Sequence, residues 1–177
     1  MHKIIIAGFG GQGVVLAGNI LARAAILENK HVTGMVAYGA EMRGGTAYST
    51  VIISDQEIAS PVVENPNIGI ILNQPSLDKF EEDIEKNGTL VINSSLIERD
   101  VKRDDLKLIK IDSTKIADEL GNIRVTNIVT LGALIKKTAM LKMESIEKAI
   151  EELFSEKKPE LIEINKKALQ KGAEQCS

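Results

Sequence analysis

Four glycines near the start of the chain form the first candidate site. Gly8, Gly10 and Gly13 follow a short aliphatic segment and precede one of helical periodicity, so they match the G-x-G-x-x-G pattern in its strand–turn–helix setting. In such a turn the first glycine permits the tight bend, and the second allows a ligand to approach the backbone closely. The third allows the helix to pack against the strand. The free N–H groups of the helix N-terminus attract anions. We predict an anion or partner contact at Gly8, Gly10, Gly11 and Gly13.

The acidic residue that usually accompanies this turn is missing. A dinucleotide site of this kind has Asp or Glu at the end of the second strand, where it binds the ribose. Residues 32–38 contain no carboxylate, and Glu41 lies further along the chain, close to Arg43. NAD or FAD binding is therefore disfavoured. Three interpretations stay open: the glycines only permit a tight strand–helix junction, they bind another phosphate, or they contact the backbone of a partner.

A second glycine-rich segment, residues 38–47, carries a carboxylate and a guanidinium between its glycines. The planar side chain of Arg43 suits a bidentate pair with a carboxylate or a phosphate, and glycine neighbours leave room for close approach. A simpler alternative is that Arg43 pairs with Glu41 and the glycines only turn the chain. The residues predicted to contact a ligand or a partner subunit are Tyr38, Glu41, Arg43, Gly44, Gly45 and Thr46.

Composition argues against several classes of protein. The 177 residues carry a net charge of −3 and 3% aromatic side chains, unlike the basic, aromatic-rich surfaces that bind nucleic acid. One cysteine, Cys176, cannot give this chain a disulfide framework, a zinc–thiolate site or an iron–sulfur cluster of its own. No apolar run approaches the ~20 residues that span a bilayer. We expect a cytoplasmic protein that binds neither nucleic acid nor membrane.

The periodicity of apolar residues predicts a single α/β domain over residues 1–177. Strands are predicted at 3–7, 32–37, 48–54, 68–72, 89–93 and 106–111, and helices at 11–28, 76–84, 114–120, 125–140, 145–155 and 160–172. Short aliphatic strands alternating with helices are typical of a three-layer domain with a mostly parallel central sheet. Residues 125–140 are aliphatic on nearly every face, so this helix is expected to be buried. A charged helical segment from about residue 141 forms the C-terminus.

The two glycine segments together resemble one known family. Residues 7–14 (AGFGGQGV) and 38–47 (YGAEMRGGTA) are similar to the gamma subunit of 2-oxoacid:ferredoxin oxidoreductases, and the second segment is the more specific of the two. The likeness continues through Ser60-Pro61, residues 73–75 (NQP) and residues 126–133 (TNIVTLGA). It therefore covers most of residues 3–140.

This resemblance implies a subunit rather than a complete enzyme. The enzymes of the family oxidatively decarboxylate a 2-oxoacid to an acyl-CoA, with CoA as co-substrate, and reduce ferredoxin. Alpha and beta subunits bind thiamine diphosphate and Mg²⁺, and the beta subunit, a delta subunit or both bind the iron–sulfur clusters. The chain itself is expected to hold no cofactor, metal or catalytic residue. Its expected partners are the alpha and beta subunits and, in some complexes, a delta subunit. Ferredoxin is expected to be a partner by way of the complex. Alone, it is expected to self-associate, as a dimer or by precipitation.

The substrate type is only weakly indicated by the resemblance. Residues 41–46 are closer to the 2-oxoglutarate type than to the pyruvate type, and branched-chain types carry similar motifs. Ala40 stands where the family pattern has proline after Gly39. The competing interpretation is a stand-alone Rossmann-type nucleotide-binding domain or enzyme. Against it stand the missing carboxylate after the second strand and the absence of a recognisable catalytic pattern of His, Cys or Lys.

Overall fold

The computed structural model describes residues 1–38, 46–156 and 158–175. Its strands are β1 (His2–Phe9), β2 (His31–Tyr38), β3 (Thr46–Ser54), β4 (Ile68–Ile71), β5 (Thr89–Asn93) and β6 (Lys107–Ile111). Its helices are α1 (Val14–Leu27), α2 (Gln74–Phe80), α3 (Ser113–Glu119), α4 (Thr126–Thr138), α5 (Met143–Phe154) and α6 (Ile162–Glu174). Short 3₁₀ turns lie at Ile123–Val125 and Pro159–Leu161. In the described ranges no helix is both long enough and apolar enough to cross a bilayer.

The six strands form one sheet in the order β2-β3-β1-β4-β5-β6. β1, β4, β5 and β6 run parallel to one another, whereas β3 is antiparallel to both β1 and β2. The predicted α/β class with a mostly parallel sheet and C-terminal helices is confirmed. As the predicted elements had it, β5 reaches β6 through residues 94–106, which form no helix.

The central strands of the sheet are buried on both faces, which gives the domain its three layers. Along β1, Ile4 and Ile6 point to the face covered by α1, α3, α4, α5 and α6, while Ile5 and Ala7 point to the face covered by α2. Alternate side chains of a strand point to opposite faces, so an unbroken aliphatic run is what a doubly covered strand requires. The predicted buried helix is confirmed as α4, in which residues 126–135 are all buried.

Ion pairs hold the helix-free connection between β5 and β6 against α2. Glu81 is 2% exposed, and its carboxylate accepts hydrogen bonds from Arg99 Nη2 at 2.6 Å and from the main-chain N–H of Arg103 at 3.2 Å. Asp78 accepts from Arg99 Nε at 2.7 Å. Arg103 forms a bidentate pair with Asp105, with distances of 2.9 and 2.6 Å. A charge network therefore takes the place of a packed crossover helix.

Candidate functional site

The glycine turn lies where the helices switch from one face of the sheet to the other. β1 leads into α1 on one face, and its neighbour β4 leads into α2 on the opposite face. In open α/β sheets, the carboxyl ends of strands at such a switch point form the usual ligand crevice. The turn predicted from sequence therefore occupies the position in the fold where a ligand or partner contact is expected.

A folded-back glutamine fills the inside of this turn. Gln12 Oε1 accepts hydrogen bonds from the Phe9 main-chain N–H at 2.6 Å and from Asn73 Nδ2 at 2.9 Å. A Cβ at Gly8 would lie 2.6 Å from Gln12 Oε1 and 3.2 Å from Leu72 Cβ. A side chain at Gly8 would therefore displace Gln12, whose hydrogen bond to Asn73 joins the ends of β1 and β4.

Gly13 also has a structural role, at the start of α1. Its backbone is left-handed, with φ of +72°, and a Cβ there would lie 2.5 Å from Asn127 Nδ2. That amide donates a hydrogen bond to the Gly13 carbonyl oxygen at 2.9 Å, which joins α4 to the turn. Gly13 itself caps α1 with no side-chain hydrogen bond. The first N–H groups of α1 therefore have no side-chain acceptor at the cap.

Gly10 and Gly11 differ from the other two glycines because they face outward. Both are exposed, and a Cβ at either position would meet no described atom within 4 Å. Gly11 has φ of +99°, which few residues other than glycine adopt. Of the four predicted contact residues, the structure gives Gly8 and Gly13 internal packing roles and leaves Gly10 and Gly11 accessible.

A small pocket of about 210 Å³ opens beside the outward part of the turn. Leu96 and Ile123 give it an apolar rim and are 41% and 60% exposed, and Arg124 supplies a cation. Its volume is below the ~300 Å³ of a typical small-ligand site, so it suits one group of a larger ligand. The pocket is lined by Gly11, Gln12, Leu96, Thr114, Ile123, Arg124 and Thr126.

Buried asparagines position the elements around this pocket. Asn73 is 1% exposed, and its Oδ1 caps α2 by accepting from the Ser76 N–H at 2.9 Å. Asn93 is fully buried at the end of β5, and its Nδ2 donates to Thr114 Oγ1 at 2.8 Å and to the Leu72 carbonyl oxygen at 3.1 Å. Sequence reasoning assigned no role to Asn93 or to Gln12. For Asn93 the available signal was an amide side chain directly at the end of an aliphatic strand.

The second glycine segment lies mostly outside the described residues. Glu41, Arg43, Gly44 and Gly45 belong to the range 39–45, and the predictions made for them stay predictions. The strands that flank this range end and begin beside the glycine turn, because Thr46 pairs with Phe9 and Tyr38 pairs with Ala47. Tyr38 and Thr46 therefore lie at the end of the sheet from which the glycine turn leaves β1.

The described part of the chain offers no evident metal centre. Within residues 1–38, 46–156 and 158–175, no group of three or more His, Cys, Asp or Glu is placed to hold a metal ion. Hydrogen bonds from Arg99 and Arg103 lower the carboxyl pKa values of Asp78 and Asp105 respectively. These shifted carboxyls belong to the ion pairs beside α2 and not to the glycine turn.

Comparison with known proteins identifies the family of this fold and site. A family model described as pyruvate ferredoxin/flavodoxin oxidoreductase matches residues 3–175. The chain belongs to this family. The gamma subunit of the keto/oxoacid ferredoxin oxidoreductase from Geobacter sulfurreducens PCA has a similar crystal structure, with a TM-score of 0.85 at 32% identity. The match covers 99% of this chain and 98% of that subunit.

Two curated relatives of this oxidoreductase family are similar over most of the chain. 2-Oxoglutarate synthase subunit KorC of Methanocaldococcus jannaschii is 43% identical over 151 residues, or 84% of this chain and 81% of KorC. Ketoisovalerate oxidoreductase subunit VorA of Methanothermobacter marburgensis is 38% identical over 173 residues, or 97% of this chain. The match covers only 36% of VorA, so this chain spans about a third of that relative. The resemblance stated from the two glycine segments is confirmed.

Proposed function

We propose that this protein is the non-catalytic gamma subunit of a 2-oxoacid:ferredoxin oxidoreductase. The observation that carries the proposal is the 43% identity to KorC across most of both chains. The proposed complex oxidatively decarboxylates a 2-oxoacid to an acyl-CoA and reduces ferredoxin. Its proposed substrate is 2-oxoglutarate or a branched-chain 2-oxoacid, since the relatives named above belong to a 2-oxoglutarate synthase and a ketoisovalerate oxidoreductase. The stand-alone nucleotide-binding alternative gains no support from these relatives.

The partners and cofactors follow from this assignment. We propose that alpha and beta subunits, with a delta subunit in some complexes, bind thiamine diphosphate, Mg²⁺ and the iron–sulfur clusters. CoA is the co-substrate of the complex, and ferredoxin accepts its electrons. The whole chain, residues 1–177, is proposed to act as one gamma-type unit. A cytoplasmic location is proposed because 2-oxoacids, CoA and reduced ferredoxin are metabolites and carriers of the cytoplasm.

The outward part of the glycine turn and the segment 38–46 are proposed to face a partner or an anionic group of the substrates. Gly10 and Gly11 leave the backbone accessible, α1 begins without a side-chain cap, and Arg124 adds a cation at the adjacent pocket. Uncapped N–H groups at a helix start favour negative charge. Arg43 is proposed to form a bidentate pair with a carboxylate or phosphate of the 2-oxoacid or CoA, or to lie at a subunit contact.

The first experiment is purification of the chain from its native host with its associated proteins. We expect it to co-purify with subunits that carry thiamine diphosphate and iron–sulfur clusters, and the pooled complex to reduce ferredoxin only with a 2-oxoacid and CoA. Comparing 2-oxoglutarate with 3-methyl-2-oxobutanoate then decides the substrate type. A chain that purifies alone and catalyses an NAD-dependent reaction would refute the proposal.

Variants of Arg43 separate its two proposed roles. If the side chain serves a ligand, Arg43→Lys should assemble normally but lose much of the turnover at subsaturating CoA, since a lysine cannot form the bidentate pair. If it joins subunits, Arg43→Ala should weaken assembly by about 2–5 kcal/mol. Arg23→Ala is the matched control. Arg23 forms its ion pair with Glu152 of the same chain, between α1 and α5, so its loss should change neither assembly nor turnover. Variants that assemble and turn over like the parent would place Arg43 outside the site.

A further inference from the structure

Asn127, the second residue of α4, is bonded to the far end of the glycine turn. It is 1% exposed, and its Nδ2 donates a hydrogen bond to the Gly13 carbonyl oxygen at 2.9 Å. Its Oδ1 accepts a hydrogen bond from the Ile128 main-chain N–H at 3.0 Å. These two bonds fix the orientation of the side-chain amide. The opposite orientation would place Oδ1 against the Gly13 carbonyl oxygen, and two acceptors cannot form a hydrogen bond.

The Gly13 carbonyl oxygen accepts a second hydrogen bond from within α1. The main-chain N–H of Ala17 donates to it at 2.9 Å, which is the first helical bond of α1. A carbonyl oxygen has two lone pairs, so Asn127 and Ala17 together use both of them. The Gly13 carbonyl is therefore held in one orientation by two different helices.

The backbone next to this anchor has unusual conformational freedom. Three of its four residues, Gly10, Gly11 and Gly13, lack a Cβ, and the last two have φ of +99° and +72°. Glycine adopts both signs of φ at little cost, so an unanchored turn of this composition would have many conformations. The folded-back Gln12 fixes one end of the turn and Asn127 fixes the other. The exposed backbone lies between these two anchors.

The start of α4 also contributes to the pocket beside the turn. Thr126, the residue before Asn127, lines this pocket together with Gly11 and the cationic Arg124. One helix start therefore forms part of the pocket wall and anchors the turn that borders the pocket. An anionic group bound near Arg124 would lie beside the backbone that Asn127 holds in place.

We propose that Asn127 is a positioning residue for the contact between the glycine turn and an anionic substrate. It acts through Gly13 and holds the outward backbone of Gly10 and Gly11 in one conformation before the substrate binds. This inference rests on the proposed function, since it takes the substrate to be the 2-oxoacid or CoA of the oxidoreductase. A contact that is already ordered binds its ligand without the entropic cost of ordering it. Loss of Asn127 should therefore weaken substrate binding more than it slows the chemical step.

Steady-state kinetics of the complex reconstituted with Asn127→Ala tests this role. We expect the KM for the 2-oxoacid or for CoA to rise by about tenfold while kcat stays within about twofold of the parent, as for a lost binding interaction. Asn165→Ala is the matched control. Asn165 is 3% exposed on α6, and its Nδ2 donates to the Leu161 carbonyl oxygen at 2.7 Å. The control removes the same kind of buried hydrogen bond away from the turn, so both KM values should stay unchanged.

The other outcomes overturn the positioning role. It is wrong if both KM values are unchanged in Asn127→Ala, or if they rise equally in Asn165→Ala through general loosening of the fold. If Asn127→Ala does not assemble, Asn127→Ser replaces it, since its shorter side chain also cannot reach Gly13. If neither variant enters the complex, the turn is a subunit contact and not a substrate contact.

Failure of the proposed function gives a different result in the same assay. A parent complex that does not reduce ferredoxin with a 2-oxoacid and CoA refutes the proposed function, and this inference with it. An active parent complex whose KM values are insensitive to Asn127→Ala refutes the inference alone.

Discussion

Gly132 on α4 lies directly against the main chain of Leu169 on α6. A Cβ at Gly132 would fall 2.0 Å from the Leu169 carbonyl oxygen, and a Cβ at Gly172 would fall 1.9 Å from that of Val129. The two helices therefore touch backbone to backbone, which any larger residue would prevent. Because α4 also carries Asn127, whose amide holds the Gly13 carbonyl, the C-terminal helix helps to fix the glycine turn.

Alanine at either of these two glycines should destabilise the protein. Gly132→Ala and Gly172→Ala each force the helices apart, and we expect a loss of about 1–3 kcal/mol in the free energy of unfolding, typical of overpacked cores. Urea unfolding followed by circular dichroism measures the change. The matched control is Gly10→Ala, where a Cβ meets no described atom within 4 Å, so the change should stay within about 0.5 kcal/mol. Equal midpoints for all three variants would contradict the backbone contact.

Removing the Asn73 side chain should loosen the crevice between β1 and β4. Asn73→Ala deletes the cap of α2 and the hydrogen bond to Gln12, and a buried cap of this kind is worth about 1–2 kcal/mol. We also expect faster amide hydrogen exchange at Phe9, because its acceptor Gln12 loses an anchor. Asn19→Ala, at an exposed position of α1, is the control and should change neither quantity. Unchanged exchange at Phe9 would mean that Gln12 needs no support from Asn73.

Sequence periodicity was enough to predict the six strands and the burial of α4. It could not show that β3 lies between β1 and β2, because strand pairing depends on contacts distant in sequence. The start of α2 was predicted at Ser76, yet Asn73 is the cap, since both residue types cap helices and the following proline fits the first turn.

The candidate site was predicted only in part for a similar reason. The glycine spacing gave the place of the turn, but it did not distinguish glycines that meet neighbours from those that face outward. Gly8 leaves room for the folded-back Gln12, and Gly13, with its left-handed backbone, lies against Asn127, a residue more than a hundred positions away. Such tertiary neighbours leave no mark in local spacing, and the roles of these glycines became visible only in the folded chain.

The ion pairs beside α2 should make the free energy of unfolding depend on pH in the acid range. Hydrogen bonds from Arg99 and Arg103 lower the pKa of Asp78 and of Asp105 below the ordinary value of 3.8. A lowered folded-state pKa means that the unfolded chain takes up protons first. The stabilisation is therefore complete above about pH 4 to 5 and is lost as the pH falls through the folded-state values. Urea unfolding at stepped pH values should show this fall.

Neutral variants identify the groups responsible for that fall. Replacing both carboxyls, with Asp78→Asn and Asp105→Asn, should lower the free energy of unfolding at neutral pH and flatten its dependence below about pH 4. Asp104→Asn changes the same type of side chain at an exposed position next to Asp105 and serves as the control. An acid dependence that is as steep in the double variant as in the parent would assign it to other carboxyls.

The isolated chain should bind neither NAD nor thiamine diphosphate with micromolar affinity. Residues 32–38, which form nearly all of β2, provide no carboxylate for a ribose, and the Gln12 amide oxygen already accepts a hydrogen bond from the Phe9 N–H inside the turn. The sequence also lacks a Gly-Asp-Gly run followed by asparagine, which would hold Mg²⁺ and diphosphate. Isothermal titration of the full chain with each compound should give only heats of dilution. A saturable NAD signal that disappears in Gly10→Val would contradict this expectation and restore the nucleotide-binding interpretation of the turn.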